Sequence, residues 1–137
     1  MDLSSTIKSF PHDFIFGTAT SSYQIEGTSF GGCGLSHWDS FSKKPYATYK
    51  NQDGGIACNH IQNWEKDLTL VADAGFSAYR FSFSWPRLII DGKSRKNNEG
   101  FSFYDRLIDG MLSKGLLPFA TLYHWDLPQK LADTGGW

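Results

Sequence analysis

The strongest constraint on this chain is a spacing. Gly75 and Gly115 lie 40 residues apart, and so do Trp85 and Trp125. Around each pair the chain runs through a helical pattern, a glycine, an apolar strand pattern, a tryptophan and a proline-containing turn, in one register. A helix-plus-strand unit repeated in register, with a strand ahead of it, builds a parallel sheet through crossover connections. Two closures are open to such a sheet, a doubly wound open form or a (β/α)8 barrel. No GxGxxG or GxxxxGK[ST] run follows the first strand, so the nucleotide-binding open form loses its main support.

In order, residues 1–9 read as a frayed leader and residues 10–137 as one continuous domain segment. Phe14 to Thr20 is β-branched and aromatic enough for a first strand. A glycine-rich excursion runs from Thr28 to Asn59, with Trp38 and Phe41 pinning it down, and loops of that length are usually functional. Asn59 is placed as an N-cap, and Trp64, Leu68, Val71 and Ala72 recur at helical spacing up to Gly75, a natural C′ residue. A second strand covers Ala78–Ser84. A polar loop over 88–100 follows, and Ser102 with Asp105 fits an S-x-x-D helix start, with Phe103, Leu107 and Met111 on one face.

The third strand is placed over Phe119–Tyr123, between Pro118 and Pro128, and reads as buried on both faces. Directly after it come His124, Trp125 and Asp126. In parallel α/β architectures the carboxyl ends of strands are where loops gather and ligands bind. The first strand ends comparably, in Ser21-Ser22-Tyr23-Gln24-Ile25-Glu26. These two ends are the candidate lips of a pocket.

The totals narrow the function classes. A net charge of −1 offers no basic face for nucleic acid, and no stretch is long and apolar enough to span a membrane. Cytoplasm is the expected compartment. Cys33 and Cys58 have no CxxC spacing and no clustered histidines, which favours reduced, structural thiols over a disulfide or a metal site. Five tryptophans and six tyrosines suit a protein that stacks on flat apolar faces, sugar rings among them, although the same excess also builds ordinary cores.

Four blocks resemble the family 1 glycoside hydrolases, the β-glucosidase and β-galactosidase family. They are Phe14-Ile15-Phe16-Gly17-Thr18-Ala19-Thr20-Ser21-Ser22-Tyr23-Gln24-Ile25-Glu26-Gly27, Tyr79-Arg80-Phe81-Ser82-Phe83-Ser84-Trp85-Pro86-Arg87, Phe103-Tyr104-Asp105-Arg106-Leu107-Ile108-Asp109 and Leu122-Tyr123-His124-Trp125-Asp126-Leu127-Pro128. They occur in the family's order, and the likeness runs from Phe10 to Trp137. It departs at Asn59-His60-Ile61-Gln62-Asn63-Trp64, at Gly31 to Leu35 and at Ile89-Ile90-Asp91, in helix starts and outer loops.

The resemblance implies an α/β fold, the first three strands and two to three helices of a (β/α)8 TIM barrel, incomplete here because such a barrel needs roughly 250 residues. It implies a cofactor-free, metal-free retaining β-glycosidase acting on a β-glycoside or disaccharide. In that chemistry one carboxylic acid protonates the leaving oxygen, and a carboxylate roughly 5 Å away attacks the anomeric carbon. The family's two catalytic glutamates fall in blocks this sequence does not contain, so they are expected beyond Trp137 and the chain alone is expected to be inactive. The remainder of the barrel is then its expected partner.

Residue by residue, Gln24 matches a glutamine that hydrogen-bonds two hydroxyls of the nonreducing sugar, and His124 and Trp125 match the pair gripping the same end of the ring. Arg80 matches an arginine that supports the nucleophilic glutamate by keeping it ionised; its place between Tyr79 and Phe81 points to a paired internal charge. Trp38 is read as loop packing. Glu26 and Asp126, both at strand ends, are an alternative acid and base pair, but the resemblance implies that both positions are structural. Two rival functions remain: a noncatalytic sugar-binding or interaction protein from the same barrel, and an open-sheet nucleotide enzyme.

Overall fold

A computed structural model of the chain describes residues 10–137, so the expected leader over residues 1–9 lies outside the described residues. Three strands, β1 (Gly17–Ala19), β2 (Ala78–Ser82) and β3 (Leu117–Thr121), pair in parallel in the order β1-β2-β3. The register sets Ala19 beside Arg80 and Arg80 beside Phe119. Helix α3 (His60–Asp73) connects the first two strands and α5 (Asn98–Ser113) the last two. Four one- or two-turn helices decorate the carboxyl ends of the strands: α1 (Ser22–Ile25), α2 (His37–Ser42), α4 (Trp85–Leu88) and α6 (Gln129–Ala132).

Strand alternation decides where the core lies. Tyr79 and Phe81 point toward the helices and join Leu68, Phe103, Tyr104, Leu107, Met111 and Leu116 in one buried cluster. Full burial of a side chain such as Leu107 or Phe103 contributes about 1.5–3 kcal/mol each. Helices α3 and α5 approach closely at Gly110, where a Cβ would stand 2.5 Å from the Trp64 ring. The spacing of Gly75 and Gly115 proves to be two equivalent helix stops, with φ of 83° and 73°, the left-handed backbone that glycine adopts without strain.

Several expectations are corrected. The first strand is shorter than Phe14–Thr20. Phe10, Phe14 and Phe16 instead form an aromatic cluster ahead of it, with centroids 4.6–5.2 Å apart. The second strand closes at Ser82 because Ser84 already leads into α4. The third begins two residues earlier than expected, directly after the Gly115 stop. It is not buried on both faces: Leu117 is 48% and Phe119 49% exposed, because they lie on the uncovered face of the sheet, in register with Ala78 and Arg80, and β3 is also the edge strand of the sheet. That edge position also accommodates Pro118, which has no N–H to donate. Helix α5 starts at Asn98, not Ser102, because the Asn97 side chain caps it by accepting from Glu99 N. Asn59 does stand at the N-cap of α3, but in a left-handed conformation whose side chain donates to Gln62 and makes no cap bond.

The expected charge partner of Arg80 is not among the described residues: the side chain is exposed and makes no ion pair with any of them. Tyr79 and Phe81 take the buried face of β2, so Arg80 projects from the opposite, uncovered face of the sheet, beside Gly17, Ala19 and Phe119.

Candidate functional site

The carboxyl ends of the three strands are laced together by buried hydrogen bonds. Ser22 N donates to Ser82 Oγ at 2.8 Å, and Ser22 Oγ donates to Asp126 Oδ2 at 2.7 Å. Ser82 Oγ closes the chain by donating to Ser22 Oγ at 3.2 Å. The segment after β1, the end of β2 and the segment after β3 are thereby held to one another. Asp126 is 1% exposed, and burial, opposed by its hydrogen bond from Ser22, pushes its carboxyl up to about 6.

A second network lies beneath the first. Arg87, wholly inaccessible, donates from Nε to Glu26 Oε2 at 2.8 Å and from its terminal nitrogens to the carbonyls of Phe30 and Gly27. Tyr104 donates to Glu26 Oε1 at 2.7 Å and accepts from Ser84 N. Burial opposes the Arg87 charge, but attraction to Glu26 leaves the guanidinium pKa raised; burial, reinforced by Glu26, raises the Tyr104 phenol well above its usual value. This network fixes the start of the long excursion after β1. Burial also pushes the Cys33 thiol up to about 11, so it behaves as a packed, un-ionised group, whereas Cys58 is exposed; both are free.

The excursion returns over the same strand ends. Ser36 and Asp39 form a reciprocal capping box that starts α2. His37 N donates to Leu127 O at 2.9 Å and Gln129 N to Leu35 O at 2.8 Å, stitching α2 to the segment after Trp125. Trp38 is thus carried to the two expected lips.

What results is a cavity of about 360 Å³ lined by Ser21, Tyr23, Gln24, Trp38, His124 and Trp125. Gln24, singled out after β1, and the adjacent His124 and Trp125, singled out after β3, therefore meet. The His124 and Trp125 rings stack with centroids 5.7 Å apart and an interplanar angle of 18°. Trp125 is 68% exposed, and its φ is 70°, an uncommon backbone for an aromatic residue. Aromatic faces, a histidine and an amide around one cavity give stacking surface together with donors and acceptors for hydroxyl groups.

Arg80 does not line this cavity; it borders a separate cavity on the uncovered face of the sheet. Glu26 and Asp126 do not form an acid and base pair open to a ligand. Glu26 is taken up by Arg87 and Tyr104, Asp126 by Ser22, and neither lines the cavity. Trp38 is the residue that the sequence reading undervalued. It packs in its loop against Tyr23 and Phe41, and it also walls the cavity. The S-x-x-D pattern of Ser36 and Asp39 was the available signal, since it marks a helix start that presents Trp38. Among the described residues no group of three or more His, Cys, Asp or Glu side chains is placed to hold a metal ion.

Comparison with known proteins bears directly on this arrangement. Residues 6–137 match the profile of glycosyl hydrolase family 1. β-Glucosidase A of Thermotoga maritima is 46% identical over 96% of this chain, and the β-glucosidase of an Agrobacterium species is 50% identical over 93%. The chain spans 30% and 28% of those two proteins' lengths. Among solved structures, virulence factor SghA in complex with its substrate analog salicin superposes with a TM-score of 0.96 at 46% identity, over 100% of this chain and 30% of that one. The β-glucosidase of Thermotoga maritima in complex with deoxynojirimycin gives 0.90 at 46% identity, over 93% of this chain and 30% of that one. With the profile covering nearly its whole length and its parallel strands in barrel order, the chain belongs to glycosyl hydrolase family 1 and forms the opening part of that family's (β/α)8 barrel.

Proposed function

We propose that this chain supplies the wall that holds the nonreducing sugar in a retaining β-glycosidase acting on terminal β-D-glucosides. The observation carrying this reading is the convergence of Gln24, His124 and Trp125 on one cavity at the strand ends, in a chain whose curated relatives include β-glucosidases. In the proposed complex the Gln24 amide donates to one ring hydroxyl and accepts from another, His124 bonds a hydroxyl at the same end, and Trp125 and Trp38 flank the ring.

The chain carries no catalytic pair of its own in this proposal. Its glutamates are Glu26, Glu65 and Glu99; the first is buried in its ion pair, and the other two are exposed on separate helices. Both the acid and the nucleophile come from the rest of the barrel, and the chain alone is inactive. Arg80 is proposed to face the nucleophilic carboxylate from the uncovered side of the sheet and to favour its ionised form. The reaction is proposed to need neither metal nor cofactor. The balanced charge supports a small glycoside as ligand over nucleic acid or a lipid surface, and two free thiols support the cytoplasm as its compartment.

The test is calorimetric titration of deoxynojirimycin, a glucose-shaped iminosugar, into protein made from the complete reading frame, with an aryl β-glucoside assay alongside. Saturable binding and hydrolysis, both weakened by Gln24→Ala, are expected. Binding without hydrolysis moves the noncatalytic sugar-binding reading to first place, and absence of both removes the proposal.

A further inference from the structure

We infer that Asp126, through Ser22, is the positioning residue that sets the distance between the two lips of the sugar pocket; this rests on the function just proposed. The lips come from different ends of the sheet. Gln24 belongs to α1 after β1, whereas His124 and Trp125 follow β3, and β2 separates the two strands. Neither lip has a hydrogen bond to the other through its own ligand-facing side chains among the described residues. The direct connection is the bond from Ser22 Oγ to Asp126 Oδ2, at 2.7 Å. Ser22 stands two residues before Gln24, and Asp126 adjoins Trp125. A displacement at this bond is therefore transmitted to both walls within one or two residues.

Three features mark the bond as built for position. Asp126 and Ser22 are 1% and 3% exposed, so water does not readily replace the contact. Ser22 is itself fixed by Ser82, which accepts from its N–H and donates to its Oγ, so the tether is anchored on the central strand. Among the described residues Asp126 Oδ1 has no hydrogen-bond partner and Oδ2 accepts from Ser22 on the lip opposite, with the Ser84 hydroxyl near enough to favour the carboxylate. The Glu26 carboxylate lies near enough to act on Asp126, but it is neutralised by Arg87 and does not bond to it.

The experiment is calorimetry with deoxynojirimycin on protein from the complete reading frame, reading Kd and stoichiometry separately. Ser22→Ala and Asp126→Ala are expected to raise Kd three- to tenfold while the binding stoichiometry stays near that of the parent. Asp126→Asn, which keeps an oxygen able to accept from Ser22, is expected to stay within twofold. A role in packing alone would lower the competent fraction, and hence the stoichiometry, with Kd unmoved; that result overturns the inference. So does an Asp126→Asn variant as weak as Asp126→Ala. Ser22→Ala removes only a hydroxyl, and Ser82→Ala, which loosens the anchor without touching Asp126, gives a second reading, with a rise of at least twofold expected. Gln24→Ala separates the two claims: an unchanged Kd there sinks the sugar-pocket reading itself, whereas a raised Kd with unaffected tether variants sinks only the role of Asp126.

Discussion

Arg87 and Glu26, 61 residues apart in sequence, meet as a buried ion pair at 2.8 Å, and the same arginine ties down two carbonyls of the chain leaving β1. Both partners are almost wholly shielded, with side-chain exposures of 0% and 4%. Their value is asymmetric: removing one partner strands a charge in a dry interior, which costs about 3–5 kcal/mol. Arg87→Leu and Glu26→Leu should each lower stability by that order in urea unfolding, and the double variant should recover much of the loss. Single variants costing less than about 1 kcal/mol would show that the pair is hydrated.

Gly110 is predicted to be intolerant of any side chain. Alanine normally favours a helix over glycine by about 1 kcal/mol. Here its Cβ would meet the Trp64 ring at 2.5 Å and Leu68 at 3.1 Å, and overpacking of that kind costs about 1–3 kcal/mol. Gly110→Ala should therefore destabilise in thermal unfolding despite its helix propensity; a raised midpoint would show that α3 and α5 can separate freely.

Trp38 should matter to ligand affinity although it reads as a loop residue. Trp38→Ala is expected to weaken deoxynojirimycin binding three- to tenfold, about 1 kcal/mol. Phe41→Ala removes its packing neighbour without touching the cavity lining and is expected to leave Kd within twofold. Equal effects from both substitutions would assign Trp38 to loop packing alone.

Asp126 should impose a pH dependence on stability. Its folded carboxyl is pushed up to about 6 by burial, against an ordinary value near 3.9. The folded state therefore binds the proton more tightly than the unfolded chain. The contribution is fully present below about pH 4 and is lost as pH rises through about 6. Two units correspond to about 3 kcal/mol. The difference in unfolding free energy between the parent and Asp126→Asn should change by that order between pH 4 and pH 7, with the parent relatively weaker at the higher pH. A constant difference across the range would place the carboxyl in water.

Much of this architecture was legible because the relevant signals are local. Gly75 and Gly115 stop their helices wherever the rest of the chain goes, since left-handed backbone selects glycine, and each strand begins two or three residues later. Gln24, His124 and Trp125 were legible as strand-end polar and aromatic residues, although their meeting was an inference from parallel topology. Strand limits were less legible: pairing ends where a neighbour ends, which the residues Phe14, Phe16 and Leu122 do not encode. The surroundings of Arg80 were not legible for a related reason. Alternation says only that it faces away from Tyr79 and Phe81, and whether that side is covered depends on chain far from it. The echo of Trp85 and Trp125 conceals opposite fates, one indole nitrogen buried without a partner among the described residues and the other ring largely open.

The left-handed backbone at Trp125 sets two selections against each other at one codon. A φ of 70° is comfortable for glycine or asparagine and costly for a bulky ring, so the position holds a residue that its own dihedral disfavours. Saturation mutagenesis screened for heat resistance alone should enrich Gly and Asn there. The same library screened for sugar capture should return aromatic residues. The gap between those two outcomes would measure how much conformational strain the fold tolerates at 125 in order to keep a flat surface facing the pocket.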